Sequence, residues 1–441
     1  MGGVQMELKD MVIGTLEREV VPAMGCTEPV AVSLGCAKAR EVAAGKYGLK
    51  SLDIKVSANI YKNGMGVGVP GTNGEIGLAI AAALGVTGGH SEKGLNLLSD
   101  IDEEALAEAK KMVESGMVHI EESDVKDGVY VDSVLTYEKG FARSIIKSRH
   151  DRFIKVETDE GVIFEESSEP GVKKDTFDNG AIYEMTIKEL IELIESMSLE
   201  DLAFMLDGIK MNKKISFTAM DNEIGMGIGY KYKKKLENGE LSDDLLNRAM
   251  VYTASGADAR MSGISMPVMS SSGSGNHGLT ATLPLAAYAS LNEVSDEKLC
   301  KALAISHMVT SYIKRYTGRL SALCGCGVAA GTAVSGALVW IMGGTQEQIE
   351  GAISNMIASI SGMVCDGAKL GCALKLVTAS SSAVYFANMA MDGIIVPQYN
   401  GLVGKTVEES IKSMGKLAAD GMVITDKVIL KRMVEMDLQR C

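Results

Sequence analysis

From Thr186 onward the chain reads as helix with few interruptions, and its helices are made largely of small residues. Apolar periodicity predicts helices over 186–197, 199–212, 241–255, 276–290, 296–316, 327–342, 346–361, 367–391, 405–418 and 422–436. So long a succession has to bury its apolar stripes helix on helix. Gly is abundant at 49 residues, aromatics make up 5%, and Met reaches 27, so this core rests on small and flexible side chains rather than on rings. The stretch Leu320 to Gln346 carries no charge and is long enough to span a bilayer. Its Ala, Gly, Ser, Thr and Cys content instead predicts a buried helix with flanking loops.

The first part of the chain has a different pattern. Residues 7–22 read as an amphipathic helix with Leu8, Met11, Val12, Leu16 and Val20 on one side. After a break at Pro22-Ala23-Met24-Gly25, Thr27 offers an N-cap, with Glu28 and Pro29 opening a helix that runs to about Ala44. Leu52, Ile54 and Val56 alternate as a strand. A hairpin turn at Lys62-Asn63-Gly64, with Asn63 at positive φ, then leads to Met65, Val67 and Val69. Helix is expected after Gly71-Thr72-Asn73-Gly74 and over 102–115, and strands from about Val118 to Glu166. The fold class is α+β. A mostly helical domain formed by 1–48 and 185–441 receives a smaller inserted α+β domain at 49–184.

A net charge of −13 without any Lys/Arg-rich run argues against nucleic acid or an anionic membrane as partner. MGGVQMELKD has no apolar signal core, so a cytoplasmic location is expected. There, eight cysteines are mostly reduced: ligands, catalysts or core.

Five cysteines stand out. Cys365 and Cys372 are seven positions apart, a spacing that puts both thiols on one face of a helix and fits neither a zinc knuckle nor a ferredoxin run. Cys324 and Cys326 form a C-x-C some 40 residues earlier. Three thiolates can hold a cubane iron–sulfur cluster and leave one iron open. Spacing alone equally allows buried free thiols in a small-residue core. Cys26 precedes a helix start, where the dipole lowers a thiol pKa and suits a nucleophile or base; the plain alternative is a half-buried turn cysteine. The Gly/Ser loop from Ser270 to Gly278 opens a helix, and its N–H groups would cradle a carboxylate or phosphate, unless it is only a linker. It matches no Walker A or dinucleotide motif. His277 is an orienting donor or simply a helix-start residue. His90, His119, His150 and His307 form no ligand pattern.

Gly25-Cys26-Thr27-Glu28-Pro29, the Ser270–Gly278 loop, Gly325-Cys326-Gly327-Val328-Ala329-Ala330-Gly331 and Cys365-Asp366-Gly367-Ala368-Lys369-Leu370-Gly371-Cys372 together resemble the archaeal and bacterial L-cysteine desulfidases. These belong to the iron–sulfur serine dehydratase alpha-chain superfamily, and the likeness runs in order over nearly the whole chain. The resemblance implies a [4Fe–4S] cluster on Cys326, Cys365 and Cys372. Cys326 is preferred to Cys324 because Gly331 stands at the fifth position after it. The resemblance also implies Cys26 as catalytic base and release of sulfide from L-cysteine without pyridoxal phosphate. Thr27, Asn63, Ser271, Ser272, Gly273, Asn276 and His277 would then bind the substrate, with Ser271–Gly275 and Asn276 on its carboxylate. Serine dehydratases carry Ser-Ser-His where this chain has Cys26-Thr27-Glu28, which favours cysteine as substrate. Some also fold a C-terminal cysteine onto the open iron, a role Cys441 would take if it is more than a chance terminal residue. A homodimer is left open. The rivals are L-serine dehydration on the same cluster, a sulfide carrier, and a metal-free helical membrane or binding protein.

Overall fold

The computed structural model describes residues 2–72, 74–125, 127–166, 180–318 and 322–438. It is α+β. Its strands are β1 (Pro22–Met24), β2 (Leu49–Val56), β3 (Val118–Glu122), β4 (Tyr130–Tyr137), β5 (Phe141–Lys147), β6 (Phe153–Thr158), β7 (Gly161–Glu165) and β8 (Pro267–Met269). Six of them form one sheet in the order β3-β2-β4-β5-β6-β7, parallel only between β2 and β3. Helices Thr27–Val42, Leu78–Thr87 and Glu103–Glu114 supply apolar residues to the sheet's core, among them Val32, Leu34, Leu84 and Met112 against Leu52, Ile54 and Val131. A second, larger core joins the helices from Ile187 onward with Val12 and Leu16 of the first helix, Gly2–Glu19, and with Val20 just after it.

Local sequence sets several helix starts. Thr186 with Glu189, Ser198 with Asp201, and Thr345 with Gln348 close reciprocal capping boxes, so these helices begin where side chains satisfy the unpaired N–H groups. The helical expectation holds for most of the second half, with two extensions. Met205–Asp221 runs past the expected end at 212, and Ile228–Glu237 was not anticipated.

Three local expectations fail. Lys62-Asn63-Gly64 is no hairpin: it ends helix Ala58–Gly64, where Ile60 and Lys62 are buried, and Met65 to Val69 follow as loop. Asn63 has no positive φ. Tertiary burial decides here over the turn propensity of Asn-Gly. The N-cap ahead of Val30 is Cys26, with Thr27 as first helical residue. Cys365 and Cys372 do not share a helix face, because the helix starts only at Cys372 (Cys372–Met391) and Gly367 at φ 92 turns the chain before it. Of Leu320 to Gln346, residues 320 and 321 lie outside the described residues. The rest is loop, a π-helical turn (Cys326–Gly331), helix Thr332–Ile341 and the start of Gln346–Ile360. Among the described residues no helix is long and apolar enough to cross a membrane.

The short ribbon that positions the site was not foreseen. β1 pairs antiparallel with β8, Pro22 opposite Met269. Beyond it Ser270 N donates to Val21 O at 2.9 Å and Ser272 N to Glu19 O at 3.0 Å. Cys26 and the Gly/Ser loop, distant in sequence, are thereby fixed side by side.

Candidate active site

One cavity of about 850 Å³, its open mouth included, takes in Cys26, Thr27, Asn63, Ser272, Gly273, Asn276, His277, Cys326, Cys365 and Cys372. Of the site residues read from sequence, only Ser271 stays out of its lining. Ser271 is buried behind the wall, its carbonyl accepting from His277 Nδ1 at 3.1 Å and its hydroxyl pairing with His307 Nδ1 at 2.9 Å. Cys324 also lines the cavity. Cys441 lies outside the described residues. Cys36 and Cys300 are buried in the two cores, away from the other thiols.

The thiols arrive from three directions. Cys324 N donates to Met363 O at 2.8 Å and Cys365 N to Ala322 O at 2.7 Å, so the 322–326 and 363–365 segments lie antiparallel. Cys326 opens the π-helical turn, a widened geometry often found at functional sites. Cys372 is the first residue of its helix, its thiol against Gly367 O at 3.6 Å. Glycines make the close approach possible. A Cβ on Gly325 would stand 2.2 Å from His277 Nε2, and one on Gly367 2.1 Å from Lys62 O.

Burial governs the ionisation of these groups. It pushes the Cys26 thiol up to about 12, against the opposing effect of Arg260, so the expected lowering at a helix start does not occur. It raises Cys372 to about 11 and also raises Cys365, where Lys62 opposes it. The neighbouring Cys326 thiol holds Cys324 below an ordinary thiol, while Cys324 and burial hold Cys326 above one. Burial lowers His277 to about 3, keeping it neutral. With Nδ1 donating to Ser271 O, its Nε2 is left as an acceptor toward Gly325.

The model of the serine dehydratase alpha chain family matches residues 92–431. The chain belongs to the serine dehydratase alpha chain family. A UPF0597 protein of Alkaliphilus metalliredigens (strain QYMF) is 48% identical over 434 residues, 98% of this chain and 96% of that protein. A second, from Alkaliphilus oremlandii (strain OhILAs), is 48% identical over 432 residues, 98% and 100% of the two chains. A UPF0597 protein of Clostridioides difficile (strain 630) is 47% identical over 424 residues, 96% and 99%. The family match takes in the Gly/Ser loop and all four clustered thiols. Cys26 and Asn63 precede it.

For this serine dehydratase alpha chain relative, the donor set fits an iron–sulfur cluster. Cys324, Cys326, Cys365 and Cys372, soft ligands of the kind such clusters take, face one cavity and all are free thiols. Among the described residues no three His, Cys, Asp or Glu side chains stand close enough for a single metal ion. Four cations, Lys62, Arg260, Lys314 and Lys375, also line the cavity and suit an anionic occupant.

Those cations were missed in the sequence, as were Glu28, which was read only as a first-turn residue, and Asn59. Lys62 is buried and paired with Asp426 of helix Val423–Leu438. Lys375 is held by Asp366 and by Val364 O. One signal was available. Lys375 is the only charged residue in helix Cys372–Met391, and Arg260 stands in the buried part of Leu245–Met261. A lone charge in an Ala-rich buried helix points to a partner or a ligand. His150, given no role from sequence, stands 3.4 Å from Thr27 Oγ1.

Proposed function

We propose that this chain is an iron–sulfur lyase that converts L-cysteine and water to pyruvate, ammonia and sulfide. A [4Fe–4S] cluster would be held by Cys326, Cys365 and Cys372. The observation that carries this reading is the convergence of four thiols, Cys26 and the Gly/Ser loop on one cationic cavity in a serine dehydratase alpha chain relative. The inserted α+β domain at 49–184 and the helical domain would meet at this cavity, and retained thiols suit the cytoplasm.

When bound, the cluster supplies a Lewis-acidic iron for the substrate heteroatom. The protein does the rest. Ser272, Gly273 and Asn276 hold the carboxylate, with Thr27, Asn63 and His277 around the remainder of the substrate. Cys26, as thiolate, takes the Cα proton, and the electron pair left on carbon expels the β-substituent. Arg260 opposes burial at Cys26, but burial prevails and holds the thiol at about 12, so Cys26 must lose its own proton before it can act as base. Neutral His277 offers Nε2 as an acceptor without placing a further positive charge beside the thiols. The aminoacrylate released tautomerises to the imine and hydrolyses in water.

The family match favours a second reading, L-serine with water as leaving group. Anaerobically purified protein, given each amino acid in turn and assayed for pyruvate and sulfide, separates the two. Pyruvate with stoichiometric sulfide from L-cysteine supports the first reading. Pyruvate from L-serine alone supports the second, and turnover of neither removes both.

A further inference from the structure

Arg260 is buried to 5% exposure in the cavity wall, where its two hydrogen bonds to oxygen go to neutral groups and its other close neighbour is the Cys26 thiol, which burial keeps protonated. Nη1 donates to Asn276 Oδ1 at 3.1 Å and Nη2 to Gly25 O at 2.7 Å, while Nε has no partner. Lys62 and Lys375, lining the same cavity, each have an aspartate. No carboxylate pairs with Arg260 among the described residues. A guanidinium taken out of water without a counter-ion is costly, and an anion arriving beside it removes that cost.

A second wall residue has the same defect. Ser272 is 4% exposed, its Oγ is buried without a partner, and its backbone sits at φ 48. A non-glycine residue held in the left-handed region persists where its surroundings over-determine it, and such residues gather at ligand sites. The loop is pinned by Ser272 N on Glu19 O and by the exchange of N–H···O bonds between Ser271 and Ser274. Gly275, also in it, lets the Arg260 side chain lie directly against the loop; a Cβ there would stand 2.4 Å from Arg260 Nε. Asn276, turned by Arg260, has its Nδ2 only on Met261 sulfur at 3.5 Å, a weak acceptor.

We propose that Arg260 and Ser272 Oγ form the seat of the substrate's α-carboxylate, so the site selects compounds bearing a free carboxylate beside the reacting carbon. This rests on the reading of the cavity as an amino-acid lyase site, and it moves the carboxylate from a loop of N–H groups to a guanidinium the sequence did not single out. A planar, permanently charged donor fork suits a carboxylate better than backbone groups alone.

The test uses Arg260→Lys and Ser272→Ala beside the unaltered protein, each with and without cluster. Calorimetric titration with L-cysteine, L-serine and pyruvate is compared with cysteamine and ethanolamine, which lack the carboxylate. Iron content and KM are measured on the same samples. The unaltered protein should bind the carboxylates and not the two amines. Arg260→Lys should weaken carboxylate binding and raise KM about tenfold or more, and Ser272→Ala severalfold, with iron content unchanged. Equal binding of cysteamine and L-cysteine, unchanged KM in both variants, or a fall in kcat or iron content at constant KM would each overturn the seat. Carboxylate binding that depends on Arg260 without turnover of either amino acid would remove the proposed function and leave the seat. Turnover with KM indifferent to both variants would do the reverse.

Discussion

At Cys26 two effects of opposite sign compete. The helix terminus stabilises a thiolate by about 0.3–1 kcal/mol in general, less than one pKa unit. Burial to 3% exposure outweighs it, taking the thiol from 9.0 to about 12. The motif that drew attention to Cys26 was legible in sequence. Its desolvation was not, because that depends on Val67, Met261 and Cys372 closing over it from elsewhere in the chain. The same limit hid Arg260, whose partners are Gly25 and Asn276, one of them 235 residues away. As the proposed base, Cys26 changed to Ser should leave iron content and colour intact and lower turnover about 10²–10⁴-fold. Visible absorption and steady-state rates on one preparation check this, and loss of the cluster would instead make Cys26 a ligand.

Among elements, the helices were readable because their caps and apolar periodicity are local, as Thr186 and Thr345 show. The cysteine segments were not. Seven-residue spacing suggested one helix face, but Cys365 is recruited by an antiparallel bridge between Leu323 and Val364. Gly367 turns the chain at φ 92 under Lys62 O. Gly367→Ala adds both strain and a clash with backbone, so it should cost about 1–3 kcal/mol of stability and lower iron occupancy. Urea unfolding and iron analysis read the two effects.

Helix Asp296–Thr317 places His307 against Ser271, and burial lowers its pKa from 6.5 to about 4. A depressed histidine is neutral in the fold while the unfolded chain takes a proton. Its contribution is therefore whole above about 6.5 and lost as pH falls toward 4. The loss should approach about 3 kcal/mol, an order-of-magnitude figure. Urea midpoints from pH 7 to 4 should fall more steeply for the unaltered protein than for His307→Gln.

For the whole molecule, the α+β class was legible in the sequence. The sequence could not show that the helix after Cys26 packs on the sheet while Cys26 itself faces the helical side. Nor could it show that the C-terminal helix reaches the site through Lys62 and Asp426, residues 364 positions apart. Removing one partner leaves the buried Lys62 charge uncompensated. Asp426→Ala should thus destabilise the protein by about 2 kcal/mol, below the cost for a fully buried pair because Asp426 is 29% exposed. Lys62→Met combined with Asp426→Ala should recover much of that loss in thermal unfolding.

The central claim is that separate segments of the chain deliver their thiolates to one iron–sulfur cube. Iron and acid-labile sulfide, quantified on anaerobically prepared protein and on Cys326→Ala, Cys365→Ala and Cys372→Ala, test it most directly. The account predicts about four of each per unaltered chain and marked loss in every variant. Iron that is absent from the unaltered protein, or unaffected by all three changes, would contradict it.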